Sequence, residues 1–294
     1  MMKGKKILVT GGAGFIGSNL CEELVKHNEV WSLDNYFTGS EDNHVDKVIY
    51  IRGNTKDIEK SAFGYVTPDI IYHLGEYSRV EQSFDDIQKV WEYNKDGTFA
   101  VLEYVRKTGA KLIYAGSSTK FADNGIGKNQ SPYAWAKSTN TQLVKNYGEW
   151  FGIDYAITYF YNVYGNREIS SGKYATLVAL FKDKLKNRDK FTVVLPGTQR
   201  RNFTHVNDTI NGLLLIGEKG HGDGYGIGSA TSYSINELAE LFAIKAHVST
   251  IQYLPERPGN RMAGPVMTDK IEELGWTQNY HLEDYINELP TNLI

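Results

Sequence analysis

The chain has 294 residues, 41% of them hydrophobic, enough to bury the core of one large or two modest domains. Its 32 basic and 35 acidic residues are interspersed and leave a net charge of −3, which speaks against nucleic acid as a partner, and no apolar stretch approaches membrane-spanning length. A single cysteine, Cys21, excludes an internal disulfide, and the seven histidines show no metal-ligand spacing, so a soluble, metal-free, cytoplasmic protein is expected.

The opening MMKGKKILV sets lysines before an apolar run as a signal peptide does, but the run is too short and glycines interrupt it. Residues 6–10 (KILVT) read as a buried strand. They run into Gly11-Gly12-Ala13-Gly14-Phe15-Ile16-Gly17 and then a helical pattern through Leu20 and Leu24. Strand, glycine turn and helix in this order are the context of a dinucleotide fingerprint. The glycines let backbone approach a pyrophosphate, and the helix N-terminus offers free amides. Residues 29–33 form the next strand, with Asp34 at its end, twenty residues after Gly14. A carboxylate there accepts hydrogen bonds from a ribose diol and repels a 2′-phosphate, which favours NAD over NADP.

The alternation continues with strands at 48–52, 69–74, 111–115 and 155–161, a short helix from about Thr55 and a long helix over 82–107. Near-continuous apolar strands separated by helices predict an α/β fold, a doubly wound parallel sheet of Rossmann type. Ligands of such sheets bind at the carboxyl ends of the strands, where Gly14, Asp34, Gly75, Ser117 and Asn162 all fall. After the strand at 111–115 comes Gly116-Ser117-Ser118-Thr119, then Ser131-Pro132 as the cap and first turn of a helix carrying Tyr133 and Lys137 on one face. A phenol beside an ammonium is a means of making a base, because the positive charge favours phenolate. Among twenty tyrosines one such pair is expected by chance, so the spacing gains weight only from its surroundings.

Those surroundings are extensive: TGGAGFIG, LDN at 33–35, HLG at 73–75, Asn94 with GT at 97–98, Ser117, YAWAK, YFYNVYG at 159–165, RNFTHVND at 201–208, ERPGN at 256–260 and LGW at 274–276. In this order they resemble the extended short-chain dehydrogenase/reductases, the NAD-dependent nucleotide-sugar epimerases and dehydratases typified by UDP-galactose 4-epimerase, over most of the chain.

The resemblance implies roles residue by residue. Ser117, Tyr133 and Lys137 would be catalytic: Tyr133 as general base, Lys137 holding the nicotinamide ribose, and Ser117 bonding the reacting sugar oxygen. NAD would be bound by Gly11, Gly14, Phe15, Ile16, Gly17, Asp34, Asn35, Thr38, Asn54, Thr55, Leu74, Gly75, Asn94, Tyr133, Lys137, Phe160 and Tyr161. The sugar nucleotide would meet Thr119, Asn162, Arg201 and Arg257, since guanidinium forks suit diphosphate oxygens. Residues 1–165 would form the cofactor domain with a return segment near 204–217, and 166–294 a smaller mixed α/β domain for the sugar nucleotide. A homodimer through the helices near 84–107 and 133–150 is implied as well.

The dehydratases carry Asp-Glu where this chain has Ser118-Thr119, the decarboxylases a glutamate, and the 3,5-epimerases a cysteine. The resemblance thus points to a 4-epimerase working through a 4-keto intermediate. A C4 dehydrogenase or 4-ketoreductase on the same site is the alternative, and a catalytically silent NAD-binding scaffold the second. Several positions depart from the pattern: Asn54 and Asn202 replace aspartates, and Gly75-Glu76 replaces Ala-Ala, with Arg79 a potential partner for Glu76. The stretch after ERPGN is two residues longer than expected, so Gly264 or Val266 would face the sugar.

Overall fold

Ile7 and Val9 of strand β1 (Lys6–Thr10) join a cluster with Leu20, Leu24, Ile210 and Leu213, whereas Leu8 between them joins Ile71, Val101, Val105 and Tyr147. A strand apolar on both sides needs a helical layer on each side, and this sets the architecture. The structure, a computed structural model, describes residues 2–60, 67–246 and 251–290.

In chain order β1 is followed by α1 (Phe15–Leu24), β2 (Glu29–Asp34), β3 (Ile49–Arg52), β4 (Ile70–His73), α2 (Ile87–Val90), α3 (Gly97–Thr108), β5 (Lys111–Ala115), α4 (Pro132–Phe151) and β6 (Tyr155–Phe160). Then come β7 (Val163–Tyr164), α5 (Leu177–Asn187), β8 (Phe191–Val194), β9 (Arg200–Asn202), β10 (Thr204–His205), α6 (Val206–Lys219) and β11 (Gly222–Ile227). The described chain ends with β12 (Ser232–Ser234), α7 (Ile235–Ala246), β13 (Ile251–Leu254), α8 (Asp269–Glu272) and α9 (Leu282–Glu288).

Seven parallel strands form the main sheet in the order β3-β2-β1-β4-β5-β6-β11. This is the doubly wound arrangement expected from the sequence, and its order reverses between β1 and β4, where such sheets open a crevice. Gly11 and Gly75, which follow those two strands, abut so closely that a Cβ on Gly11 would lie 2.8 Å from the Cα of Gly75. Gly11 also has φ +77°, a conformation that disfavours any other residue.

Two expectations need correction. The helix expected over 82–107 is broken: Glu81–Ser83 is a 3-10 turn, and between α2 and α3 the residues Trp91–Asp96 form a π-helical turn. Within it, the Asn94 side chain accepts from the Tyr77 amide at 2.7 Å and donates to the Tyr77 carbonyl at 3.0 Å. That pair clamps the chain after β4, and a π turn is how a helix accommodates such an insertion. The return to the main sheet also runs further than 204–217: α6 packs on the β1 side, and β11 then extends the sheet beyond β6.

A separate cluster is built on Phe181, Phe191, Leu238, Phe242, Leu282 and Ile286, from α5, β8, α7 and α9. It carries the small sheets β8–β13 and β9–β12 beside the crevice. Among the described residues no helix is long and apolar enough to cross a membrane, and no group of metal-ligating side chains occurs.

Candidate active site

The carboxyl ends of β1, β2, β4, β5 and β6 open onto one cavity of about 450 Å³. Gly14 caps α1 without a side chain, so the first turn of the helix presents backbone to the cavity. Asp34, nearly buried at the end of β2, accepts the Ala13 amide at 2.9 Å and the Tyr36 amide at 2.7 Å. Burial raises its pKa, and the two amides act against that rise.

At the other end of the cavity, Ser131 caps α4 by accepting the Ala134 amide at 3.1 Å, with Pro132 in the first turn. This start aims Tyr133 inward, one turn before Lys137, and both are almost fully buried. The Tyr133 hydroxyl donates to Ser117 Oγ at 3.2 Å, and Ser117 Oγ lies 2.8 Å from Thr119 Oγ1. Lys137 Nζ donates to the Ala115 carbonyl and to Glu76, and sits 4.6 Å from the centre of the Tyr114 ring. Glu76 does not pair with Arg79. The Arg79 guanidinium donates to the carbonyls of Tyr174 and Ser78 instead.

A second cavity of about 290 Å³ adjoins the first and shares Thr119, Asn162 and Arg261 with it. Arg201 and Arg257 lie on its wall. Arg201 donates to the carbonyls of Arg200 and Arg261 at 2.8 Å, and its pKa is pushed down to about 9, by burial first and then by the charge of Arg261. Arg257 is more exposed and pairs with Glu81 at 2.7 Å. Asn162 adopts φ +38°, which asparagine tolerates better than most residues, and donates to the Asn202 carbonyl at 3.0 Å.

The cavities bring together Gly11, Gly14, Phe15, Ile16, Gly17, Asp34, Asn35, Thr38, Thr55, Leu74, Gly75, Ser117, Thr119, Tyr133, Lys137, Phe160, Asn162, Arg201 and Arg257. Three expected residues lie off their walls. Asn94 is buried against Tyr77, Asn54 accepts from the Asn35 side chain at 2.9 Å, and Tyr161 is buried with its hydroxyl accepting the Met267 amide at 3.2 Å.

Neither Gly264 nor Val266 lines either of these two cavities. Gly264 packs on Ala122, and Val266 against Gly228. The residue of that loop that does reach both cavities is Arg261, which the sequence reading missed. Asp123 holds the loop by accepting the amides of Met262 at 3.2 Å and Ala263 at 3.4 Å. Arg261 approaches Ser118 Oγ at 3.5 Å, and burial lowers its pKa. Its place directly after ERPGN, in the lengthened stretch, was the available signal.

Residues 7–228 match the NAD dependent epimerase/dehydratase family. The chain belongs to that family. It is 30% identical over 301 residues to UDP-glucuronic acid decarboxylase 6 of Arabidopsis thaliana, covering 95% of this chain and 86% of the relative. The UDP-glucose 4-epimerase of Thermotoga maritima, solved with UDP-glucose, superposes with a TM-score of 0.89 at 26% identity, over 95% of this chain and 96% of that one. The UDP-glucose 4-epimerase of Thermus thermophilus, solved with NAD, superposes with a TM-score of 0.87 at 25% identity, over 97% and 99%.

Membership makes the protein an NAD-dependent enzyme of nucleotide-sugar chemistry. The residues present fit that cofactor. A Cβ on Gly17 would lie 2.0 Å from the Gly11 carbonyl, so the glycines leave backbone alone at the turn, and the Asp34 carboxylate stands at the far end of the same cavity.

Proposed function

We propose that this enzyme is a nucleotide-sugar 4-epimerase. The observation that carries the reading is the chemistry at the Tyr133 end of the cavity. It offers a phenol and the hydroxyls of Ser117, Ser118 and Thr119; of the carboxylates that line the whole cavity among the described residues, Asp34 and Glu76, neither is placed to act as a second acid or base. Asp34 lies at the far end, and Glu76 is bound to Lys137, Tyr114 and Thr98 with its side chain only 3% exposed. Elimination of water from a sugar needs such a group; oxidation at C4 and its reversal do not.

Tyr133 takes the proton of the sugar C4 hydroxyl, Ser117 holds that oxygen, and Lys137 stands one helical turn from Tyr133 on the same cavity wall. Bound in this cavity, NAD would supply the acceptor for the C4 hydride and the source of its return. Between these events the 4-keto sugar turns over while its diphosphate stays anchored. Arg201, Arg257 and Arg261 in the adjoining cavity supply the guanidinium forks for that anchor, and Asn162 stands at the junction. The segments beyond residue 165, with β8, β9 and α7, form the wall that closes on the nucleotide.

Trp91, Phe99, Trp150 and Phe151 are each more than half exposed on the α2–α3 and α4 layer, and Trp91 stacks on Trp135 at 6.0 Å. An apolar patch of this kind marks a protein interface, and we assign it to a homodimer. The lone, buried Cys21 fits a reducing compartment, and we read the enzyme as cytoplasmic.

The test is incubation with UDP-, GDP- and dTDP-sugars, followed at 340 nm and by chromatography with mass detection. An isomer of unchanged mass without net NADH is expected. A product two mass units lighter, with NADH formed, would replace the epimerase by a C4 dehydrogenase on the same residues.

A further inference from the structure

Glu76 stands where the family pattern has alanine, and the proposed chemistry gives it no task. Its carboxylate is buried on the wall of the larger cavity and ion-paired to Lys137. It also accepts from the hydroxyls of Thr98 at 3.0 Å and Tyr114 at 3.2 Å, and from the Asn140 amide at 3.3 Å. Burial holds the Tyr114 phenol well above its usual range, so it remains a donor.

The network continues behind it. Thr10 Oγ1 accepts the amides of Leu74 and Gly75 at 3.1 and 3.0 Å, so its own hydrogen points to His73 Nδ1 at 2.8 Å. His73 Nε2 then donates to Thr98 Oγ1 at 3.1 Å. This requires a neutral imidazole, and burial pushes His73 down to about 4, consistent with that state. A carboxylate fixed by so many donors, yet left without its cation, would be a costly buried charge. Glu76 and Lys137 therefore belong together.

The charges around the nicotinamide end give the pair its meaning. The larger cavity is lined by three cations, Arg79, Lys137 and Arg261, and by two carboxylates, of which Asp34 lies at the adenosine end. Lys95 adds a fourth positive charge behind the wall, donating to Asn140 at 2.8 Å. Oxidised nicotinamide is a cation, and reduction removes that charge. An end carrying cations alone would favour the reduced form. We propose that Glu76 is a positioning residue that holds Lys137 and balances its charge, so that NAD⁺ is less disfavoured against NADH than beside an unbalanced Lys137 and hydride is less readily trapped on the cofactor. This inference rests on the cofactor and not on which sugar reaction follows, so it stands or falls apart from the epimerase reading.

The experiment uses the full chain stripped of nucleotide and titrated separately with NAD⁺ and NADH by calorimetry, without sugar. For Glu76→Gln the ratio of the NADH to the NAD⁺ dissociation constant should fall by about tenfold relative to wild type, an electrostatic effect at partly screened distance. Glu76→Asp keeps the charge and should keep the wild-type ratio, even where both affinities weaken. If Glu76→Gln does not fold, Glu76→Ala is read in its place. Equal weakening of both affinities with an unchanged ratio in the neutral variant would overturn the proposal and leave Glu76 a packing residue. A ratio altered as much in Glu76→Asp as in Glu76→Gln would overturn it too, since geometry rather than charge would then be responsible.

Discussion

Arg261 shows how much a single side chain decides in this site. Its guanidinium borders both cavities and, among the described residues, has a single long hydrogen-bond contact, to Ser118, while Arg201 and Arg257 are already engaged with the 260–262 loop and Glu81. A partly buried cation with so few hydrogen bonds to the described residues is suited to an anionic substrate oxygen. Arg261→Ala is expected to raise KM for the sugar nucleotide by about tenfold or more, the value of a charge-assisted hydrogen bond, with a smaller change in NAD affinity. Steady-state kinetics with calorimetry of NAD on the same preparation checks this. The neighbouring Ser117, Tyr133 and Lys137 were legible from sequence because their chemistry and spacing are distinctive. Arg261 was not, since its role depends on where Asp123 ties a lengthened loop.

Each element ends where a functional group is needed. The β1–α1 connection is the tightest of these: Gly11 needs a positive φ and touches Gly75 across the point where the strand order reverses. Gly11→Ala should therefore strain the turn and push β4's exit away from the cradle. The expected result is a loss of NAD binding by about tenfold or more and a stability loss of roughly 1 kcal/mol or more, read by calorimetry and urea unfolding. The cap at Ser131 and the apolar strands could be read off the chain, because they depend on residues a few positions apart. The π turn before α3 could not. It accompanies the bonds of Asn94 to Tyr77, seventeen residues earlier in sequence and in the loop after β4.

At the scale of the whole molecule, helices on both faces bury the parallel sheet, and the elements of the cluster around Phe181 and Phe242 contribute to the wall of the smaller cavity. Among the exposed large hydrophobics, Trp91, Phe99, Trp150 and Phe151 lie on the α2–α3 and α4 layer. A double change, Trp150→Glu with Phe151→Lys, is expected to convert a dimer to a monomer with little change in NAD affinity, since neither residue borders the cofactor cavity. Light scattering coupled to size exclusion measures the outcome. A monomeric wild-type protein would remove the dimer from the proposal.

The sequence by itself determined the sheet, the glycine cradle, the acidic end of β2 and the Ser117–Tyr133–Lys137 set. These follow from local periodicity, turn chemistry and short spacings, with ten landmarks in order. Tertiary structure alone decided which candidates share a wall. It moved Asn54, Asn94 and Tyr161 out of the cavity, brought Arg261 in, and turned Glu76 from Arg79 to Lys137. Contacts between residues sixty or more apart, such as Glu76 with Lys137, arise only when strands and helices pack, so no local pattern in the chain encodes them.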